Sequence, residues 1–311
     1  MEGVEKEDAN KLRQWCEVHG LRDDIEKFPK DGKHSDLGGL FDELGDLLYD
    51  MGDEIGAERS YREGTRRAPA YAPCYASLAS ALSVRNDLAG AETVLRKGIA
   101  NATKGGAFLD INVLYNDLGE LLNDRGDERG AEMVFQEAIK NFPKDGDLSD
   151  LGFLFGRLGH LLDDMGDGIS AEKAYREGTR RAPGYAPCYS LLADSLMERN
   201  DLKGAESVLQ RVIKLKGANG ECYNSLGELR ERQGDLTAAE AAYREAVSLE
   251  PNDYAFCLEL GRFLENKGDM RGAETVYREA LQVIPDFALR YANQCSTEDN
   301  NILFNDFPSL R

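Results

Sequence analysis

Apolar residues recur along this chain with a helical spacing inside each segment and a longer spacing between segments. A typical segment places an aromatic residue, a leucine, a small residue and an aliphatic residue in order, as in Tyr115, Leu118, Gly119 and Leu122. This i, i+3, i+4, i+7 stripe predicts a helix with one buried face. An Ala-Glu pair follows twelve positions after the small residue, beginning with Ala131 in this segment, and marks a second helix.

Seven Gly-Asp or Asn-Asp pairs separate the two predicted helices of each segment. Glycine and asparagine tolerate the left-handed backbone at a helix end, and the aspartate that follows can cap the next helix. The first residues of the pairs, spaced by 34 or 40 positions, are Gly52, Asn86, Gly126, Gly166, Asn200, Gly234 and Gly268. Self-similarity at this period predicts stacked helical hairpins.

A longer repeat overlies the short one. Residues 61–75 read YREGTRRAPAYAPCY and residues 175–189 read YREGTRRAPGYAPCY, an offset of 114, which indicates that a block of three units was duplicated. Two units have 40 residues, and their extra residues fall near 101–106 and 143–149. We expect these insertions to lengthen the connections between units.

The repeated residues resemble the tetratricopeptide repeat family, whose 34-residue unit reads W-x2-L-G-x2-Y, then A-x3-F, then P. The unit from 220 to 253 supplies Tyr223, Leu226, Gly227, Ala239, Tyr243, Ala246 and Pro251. The resemblance implies an all-α protein, a right-handed α-α superhelix (solenoid) of about seven helix-turn-helix units.

The repeats predict three regions along the chain. Residues 1–37 are expected to form an N-terminal capping helix and its connection, residues 38–287 the seven units, and residues 288–311 a partial helix and tail. The tail is apolar and aromatic at 300–311. It is expected to cap the last unit, and the alternative is a docking peptide for another protein.

Composition narrows the possible partners and compartments. Lys plus Arg number 38 against 57 Asp plus Glu, and the resulting net charge of −19 disfavours nucleic acid and anionic membranes as partners. The absence of an export signal, a presequence pattern or a long apolar run predicts a cytoplasmic protein, with an organelle interior as the alternative. Six scattered cysteines without a CxxC motif predict buried, reduced thiols.

Sequence motifs for chemistry are missing. The three histidines do not have metal-ligand spacing, and the chain has no phosphate-binding loop, nucleophile elbow or EF-hand pattern. These observations predict a non-catalytic protein with no cofactor and no bound metal.

In the family that the chain resembles, first helices line a concave groove, and positions 2, 5, 6, 9, 12 and 13 of each unit face the ligand. Those positions hold sixteen acidic and three basic residues here. The resemblance therefore implies an acidic groove that accepts a basic peptide or helix. The candidate protein-binding residues are Asp42, Asp46, Asn116, Asp117, Glu120, Asn123, Asp124, Arg157, His160, Asp163, Asp194, Asn224 and Glu228.

The favoured function is a scaffold or adaptor for protein–protein interaction, with a permanent subunit of a larger complex as the alternative. A co-chaperone that binds acidic chaperone tails is disfavoured, because Asp42 and Asp46 stand where the family's carboxylate clamp has Lys and Asn. A basic ridge near the ends of second helices is expected to complement the helix dipole, and a second partner surface is the alternative. The ridge consists of Arg62, Arg66, Arg67, Arg176, Arg180 and Arg181.

Overall fold

The computed structural model describes residues 2–105, 111–144 and 146–284, and these residues form helices, turns and loops without a strand. The prediction of an all-α fold is confirmed. The helices are α1 (Glu2–Glu26), α2 (His34–Asp50), α3 (Glu54–Arg67), α4 (Pro73–Val84), α5 (Leu88–Gly105), α6 (Ile111–Asp124), α7 (Glu128–Asn141), α8 (Leu148–Asp164), α9 (Gly168–Arg181), α10 (Pro187–Glu198), α11 (Leu202–Lys214), α12 (Gly220–Arg232), α13 (Leu236–Leu249), α14 (Tyr254–Lys267) and α15 (Met270–Val283).

The chain divides into two compact units, Met1–Asp150 and Leu151–Arg311. In the first unit, α1 precedes the hairpins α2/α3, α4/α5 and α6/α7. The second unit contains the hairpins α8/α9, α10/α11, α12/α13 and α14/α15. First helices of successive hairpins contact one another, as α2, α4 and α6 do in the first unit and α10, α12 and α14 in the second. We call each such row a first-helix layer.

The predicted hairpin turns are present at all seven places. Gly52, Gly126 and their equivalents have positive φ, and Asn86 and Asn200 adopt the same left-handed conformation at φ 62°. The aspartate after each of these residues accepts a hydrogen bond from the backbone N–H three positions later, as Asp53 Oδ1 does from Gly56 at 2.9 Å. These caps satisfy amide groups that would otherwise lack partners at the start of each second helix.

Each hairpin closes where the small residue of the first helix meets a large residue sixteen positions later. A Cβ added to Gly119 would lie 2.4 Å from Cζ of Phe135, so only glycine fits beside this ring. The same close approach occurs for Gly45 with Tyr61, Gly159 with Tyr175, Gly227 with Tyr243 and Gly261 with Tyr277. In the other two hairpins, Ala79 and Ala193 are paired in register with the shorter Leu95 and Leu209, and all four are buried.

One of the two insertions extends a helix, so the expectation of a longer connection there is wrong. Helix α5 continues to Gly105 and has 18 residues, whereas α7 has 14. Thr103 stands where five other units have proline, so that stop signal is missing here. The side-chain amide of Asn101 donates a 2.8 Å hydrogen bond to the hydroxyl of Tyr75, which stabilises the added turn. Residues 106–110 lie outside the described part.

The cysteine prediction is correct for four residues and wrong for one. Free, buried thiols are found at Cys74, Cys188, Cys222 and Cys257. Cys16 is exposed, because it lies on the solvent side of α1, whereas Val18 and Ile25 are buried. Cys295 and the predicted C-terminal segment 288–311 fall outside the described residues.

None of the described helices combines the length and apolarity needed to cross a membrane. Among the same residues, no cluster of three or more histidine, cysteine, aspartate or glutamate side chains has the arrangement of a metal site.

Candidate protein-binding surface

The first-helix layer of the first unit has a charge of one sign. The three helices α2, α4 and α6 contain no lysine and no arginine. Helix α4, which lies between the other two, contributes Ser77, Ser80 and Ser83 to this surface. The acidic residues of α2 and α6 are Asp36, Asp42, Glu43, Asp46, Asp50, Asp117, Glu120 and Asp124. We call this surface the α2–α4–α6 face, and it includes the candidates Asn116 and Asn123 as well.

Hydroxyl groups of the chain hold two carboxylates of this face, the half-buried Asp42 and the exposed Asp46. The hydroxyl of Ser77 donates a 2.8 Å hydrogen bond to Oδ1 of Asp42, and the hydroxyl of Tyr61 donates one of 2.7 Å to Oδ1 of Asp46. Burial raises the pKa of Asp42 above its usual value, and the charge of Asp46 adds to this effect. Burial likewise raises the pKa of Asp117. Both raised values indicate carboxylates that have lost water without gaining a cation.

A groove of about 460 Å³ separates α4 from α6 on this face. Ser80 and Ser83 line one side, and Asp117, Glu120 and Asp124 line the other. Its volume falls within the range of roughly 300–1,000 Å³ that is typical of ligand pockets. The groove therefore offers a long polar side chain a place between hydroxyl and carboxylate groups.

The remaining candidates lie in the second unit, where acidic and basic residues are mixed. Arg157, His160 and Asp163 are on α8, Asp194 is on α10, and Asn224 and Glu228 are on α12. Nδ1 of His160 lies 3.1 Å from Oδ2 of Asp164. Asp163 accepts a 2.8 Å hydrogen bond from the hydroxyl of Tyr175.

Asp194 is the carboxyl most affected by burial in this layer. Burial raises its pKa to about 6, and the charges of Glu228 and Glu198 contribute. Arg232 forms an ion pair with Glu228 and donates a 2.9 Å hydrogen bond to the carbonyl of Met197. The positive charge of Arg232 thus partly compensates this acidic cluster. On the α2–α4–α6 face, by contrast, Asp42 and Asp46 are held by neutral hydroxyl groups.

Comparing α2 with α8 shows which positions changed after the duplication. The buried stripe is the same in both, since Leu44, Gly45 and Leu48 correspond to Leu158, Gly159 and Leu162 at the offset of 114. Four positions outside this stripe differ. Asp42, Glu43, Asp46 and Tyr49 are replaced by Gly156, Arg157, His160 and Asp163. The two copies therefore keep one fold while they present different surfaces.

Sequence reasoning placed the candidate carboxylates on first helices but missed their partners. Ser77, which holds Asp42, was not among the candidates, although Ser77, Ser80 and Ser83 recur at helical spacing along α4. The hydroxyl of Tyr61 also reaches Asp46 at the surface, a contact that the repeat pattern does not indicate.

Comparison with known proteins agrees with this architecture. Residues 224–286 match the family model described as tetratricopeptide repeat. Yeast Tom70 superposes with a TM-score of 0.60 at 17% identity, covering 91% of this chain and 58% of Tom70. PilF of Pseudomonas aeruginosa gives a TM-score of 0.50 at 17% identity over 75% of this chain and 99% of PilF. No curated protein sequence matches the chain.

The helical hairpins and their first-helix layers define an all-α repeat protein. Within this fold, residues 224–286 match the tetratricopeptide repeat family, and the structural similarity to Tom70 supports the same helical-repeat fold for the chain. The general function that this family indicates is that of a scaffold for protein–protein interaction.

Proposed function

We propose that the α2–α4–α6 face binds a basic segment of a partner protein and that the chain acts as an adaptor through this contact. The observation that carries the proposal is the complete lack of lysine and arginine in three adjacent helices that contain eight carboxylates. A lysine or arginine side chain supplied by a partner would be attracted by every charge on this face.

The half-buried carboxylates give the contact its specificity. Asp42 and Asp117 carry a desolvation cost that their hydroxyl and amide neighbours offset only in part. A guanidinium or ammonium group placed against them would remove that cost and form charge-assisted hydrogen bonds. Exposed residues such as Asp50 and Asp124 contribute to the speed of capture, since exposed charges act over longer distances and are screened by salt.

The duplicated helix provides a test variant whose side chains already fit this backbone. Replacing four residues of α2 by their counterparts in α8 gives D42G/E43R/D46H/Y49D, in which the new aspartate replaces Asp46 as the acceptor of the Tyr61 hydroxyl. A fluorescently labelled peptide rich in arginine and lysine serves as the probe, and anisotropy reports binding. We expect at least a tenfold loss of affinity with an unchanged circular dichroism spectrum, since attraction is replaced by repulsion.

A control variant separates the local face from net charge. E54G/E128R changes the net charge by the same +3, but both of its positions are exposed and lie on second helices. The control should bind the peptide as the parent chain does. Equal weakening of both variants, or no weakening of the α2 variant, would refute the proposal. A complex that survives high salt, together with poor solubility of the isolated chain, would instead favour a permanent subunit of a larger assembly.

A further inference from the structure

The first unit has a second surface with charge of the opposite sign. A groove of about 600 Å³ lies between α1, α2 and α3. Arg22 of α1 lines the groove together with Arg59 and Arg62 of α3, while Leu48 and Ile55 contribute apolar surface. In a chain with a net charge of −19, a groove with three arginines is a local exception to the overall field.

Two of these arginines are available to a ligand. Arg62 already forms an ion pair with Glu58 at 2.6 Å. Arg22 and Arg59 are exposed, and neither forms an ion pair with any residue of the described part. The carboxylates nearby are engaged, because Asp53 caps α3 and Glu63 accepts a hydrogen bond from Arg66 at 2.8 Å.

The duplication supplies an independent observation about this surface. Ile55, Arg59, Arg62 and Arg66 form one exposed stripe along α3, at the helical spacing i, i+4, i+7 and i+11. At the offset of 114, α9 carries Ile169, Lys173, Arg176 and Arg180, which keep the same residue type or charge. Glu43, Asp46 and Tyr49 of α2 are exposed and differ from their counterparts in α8, so exposed positions of this block could change, although Asp50 is retained as Asp164. Each position of the stripe, in contrast, has the same residue type or the same charge in both copies.

The isoleucine of the stripe has no packing role that explains it. Ile55 is 64% exposed and Ile169 is 62% exposed, although both lie among charged neighbours. An exposed aliphatic residue with flanking arginines has the composition of a contact surface, with an apolar centre and a charged rim.

We propose that this groove between α1, α2 and α3 binds a segment of a partner protein that contains both acidic and aliphatic side chains. Carboxylates of the ligand pair with Arg22 and Arg59, whose planar guanidinium groups can bind them through two hydrogen bonds each. An aliphatic side chain of the ligand packs on Ile55 and Leu48 in the groove. This surface is separate from the α2–α4–α6 face, and the proposal does not rest on the function assigned to that face.

The experiment uses a labelled amphipathic peptide with glutamate and leucine on one helical face, and anisotropy reports its affinity for the full chain. R22E/R59E should weaken binding at least tenfold, because two attractions become repulsions. K97E/R129E is the matched control, since it makes the same charge change at exposed positions of α5 and α7 and should leave the affinity unchanged. R59K should weaken binding less than R59E does, because lysine, which occupies this position in the copy, keeps the charge but not the paired hydrogen bonds of a guanidinium group.

Further outcomes decide the identity of the ligand. Ile55→Ser should weaken the glutamate–leucine peptide several-fold, and a peptide with serine in place of leucine should bind no better to the parent chain than to this variant. D42G/E43R/D46H/Y49D should bind the acidic peptide at least as well as the parent does. Unchanged affinity in a correctly folded R22E/R59E variant, or equal weakening by the control, would overturn the proposal. Equal affinity for the leucine and serine peptides would overturn it too.

Discussion

Replacing Gly119 by alanine tests the packing rule that closes every hairpin. The new Cβ would lie 2.4 Å from Cζ of Phe135, a ring that is only 2% exposed and has no free space to enter. Overpacking of this kind costs about 1–3 kcal/mol. Alanine in place of a helical glycine returns about 1 kcal/mol. We therefore expect Gly119→Ala to destabilise the protein by about 1 kcal/mol net, measured by urea unfolding.

A second substitution turns this into a double-mutant cycle. Phe135→Leu alone should cost about 1–2 kcal/mol, because it leaves a cavity beside Gly119. The double variant recreates the Ala–Leu pair that two other hairpins have at Ala79/Leu95 and Ala193/Leu209. The alanine methyl then occupies space that the ring has vacated, and we expect a favourable coupling of about 1–2 kcal/mol. Strict additivity within about 0.5 kcal/mol would show that these residues do not constrain each other, and the rule would be wrong.

Three further predictions follow from burial and backbone geometry. Burial raises the pKa of Asp194 from 3.8 to about 6, so the folded state binds the proton of this carboxyl more tightly than the unfolded chain does. The stability that this proton contributes, about 3 kcal/mol, is lost as the pH rises from about 4 to 6. Asp194→Asn should flatten that part of the pH–stability curve and stabilise the protein at pH 7 in urea unfolding; an unchanged curve would contradict the burial of this carboxyl. In a Cys295→Ser background, a thiol reagent should modify Cys16 alone in the native protein, because Cys16 is the exposed thiol of the described residues. Burial raises the pKa of Cys188 to about 12 and that of Cys222 to about 11, which keeps these thiols unreactive. Modification of two or more thiols would count against this structure. Asn200→Ala should lower the stability by about 1–2 kcal/mol because its φ is 62°, whereas Asn200→Gly should not, and calorimetry of the two variants distinguishes backbone strain from loss of the side chain.

The sequence was sufficient for the hairpins because each structural cause lies within one unit. A glycine or asparagine before Asp53 or its equivalents ends one helix and starts the next, and the Gly119–Phe135 spacing fixes how the two helices meet. The course of α5 was not predictable in the same way. An insertion of six residues extends a helix or a loop with equal ease, and the outcome depended on the absence of proline at Thr103 and on a hydrogen bond to the distant Tyr75.

The candidate surface was only partly predictable for a related reason. The register of the repeat places Asp42 and Asp117 on first helices, but it says nothing about which side chains reach them. Ser77 lies in the next hairpin, 35 positions away from Asp42, and its contact depends on how the hairpins stack. The pairing of Glu228 with Arg232 depends on side-chain rotamers within α12. Residue types therefore predicted the sign of the charge on these helices, and the structure was needed to distinguish compensated carboxylates from those held by neutral groups.

The two proposed surfaces explain how a duplicated block can have a use in both of its copies. Positions that pack inside a hairpin are constrained by the packing of that hairpin. The first copy packs Gly45 against Tyr61, and the second copy keeps the same contact with Gly159 and Tyr175. Exposed positions are less constrained, although some are held by ion pairs within the chain, as Arg62 is by Glu58 and Arg176 by Glu172 in the copy. Four first-helix positions of α2 and α8 have diverged, so the two copies present different surfaces. The basic stripe beginning at Ile55 and Ile169 is retained, which is expected when both copies contact the same kind of acidic segment. Under the two proposals, this chain would join partners of opposite charge, because its negative face and its positive groove involve different helices of the same hairpin.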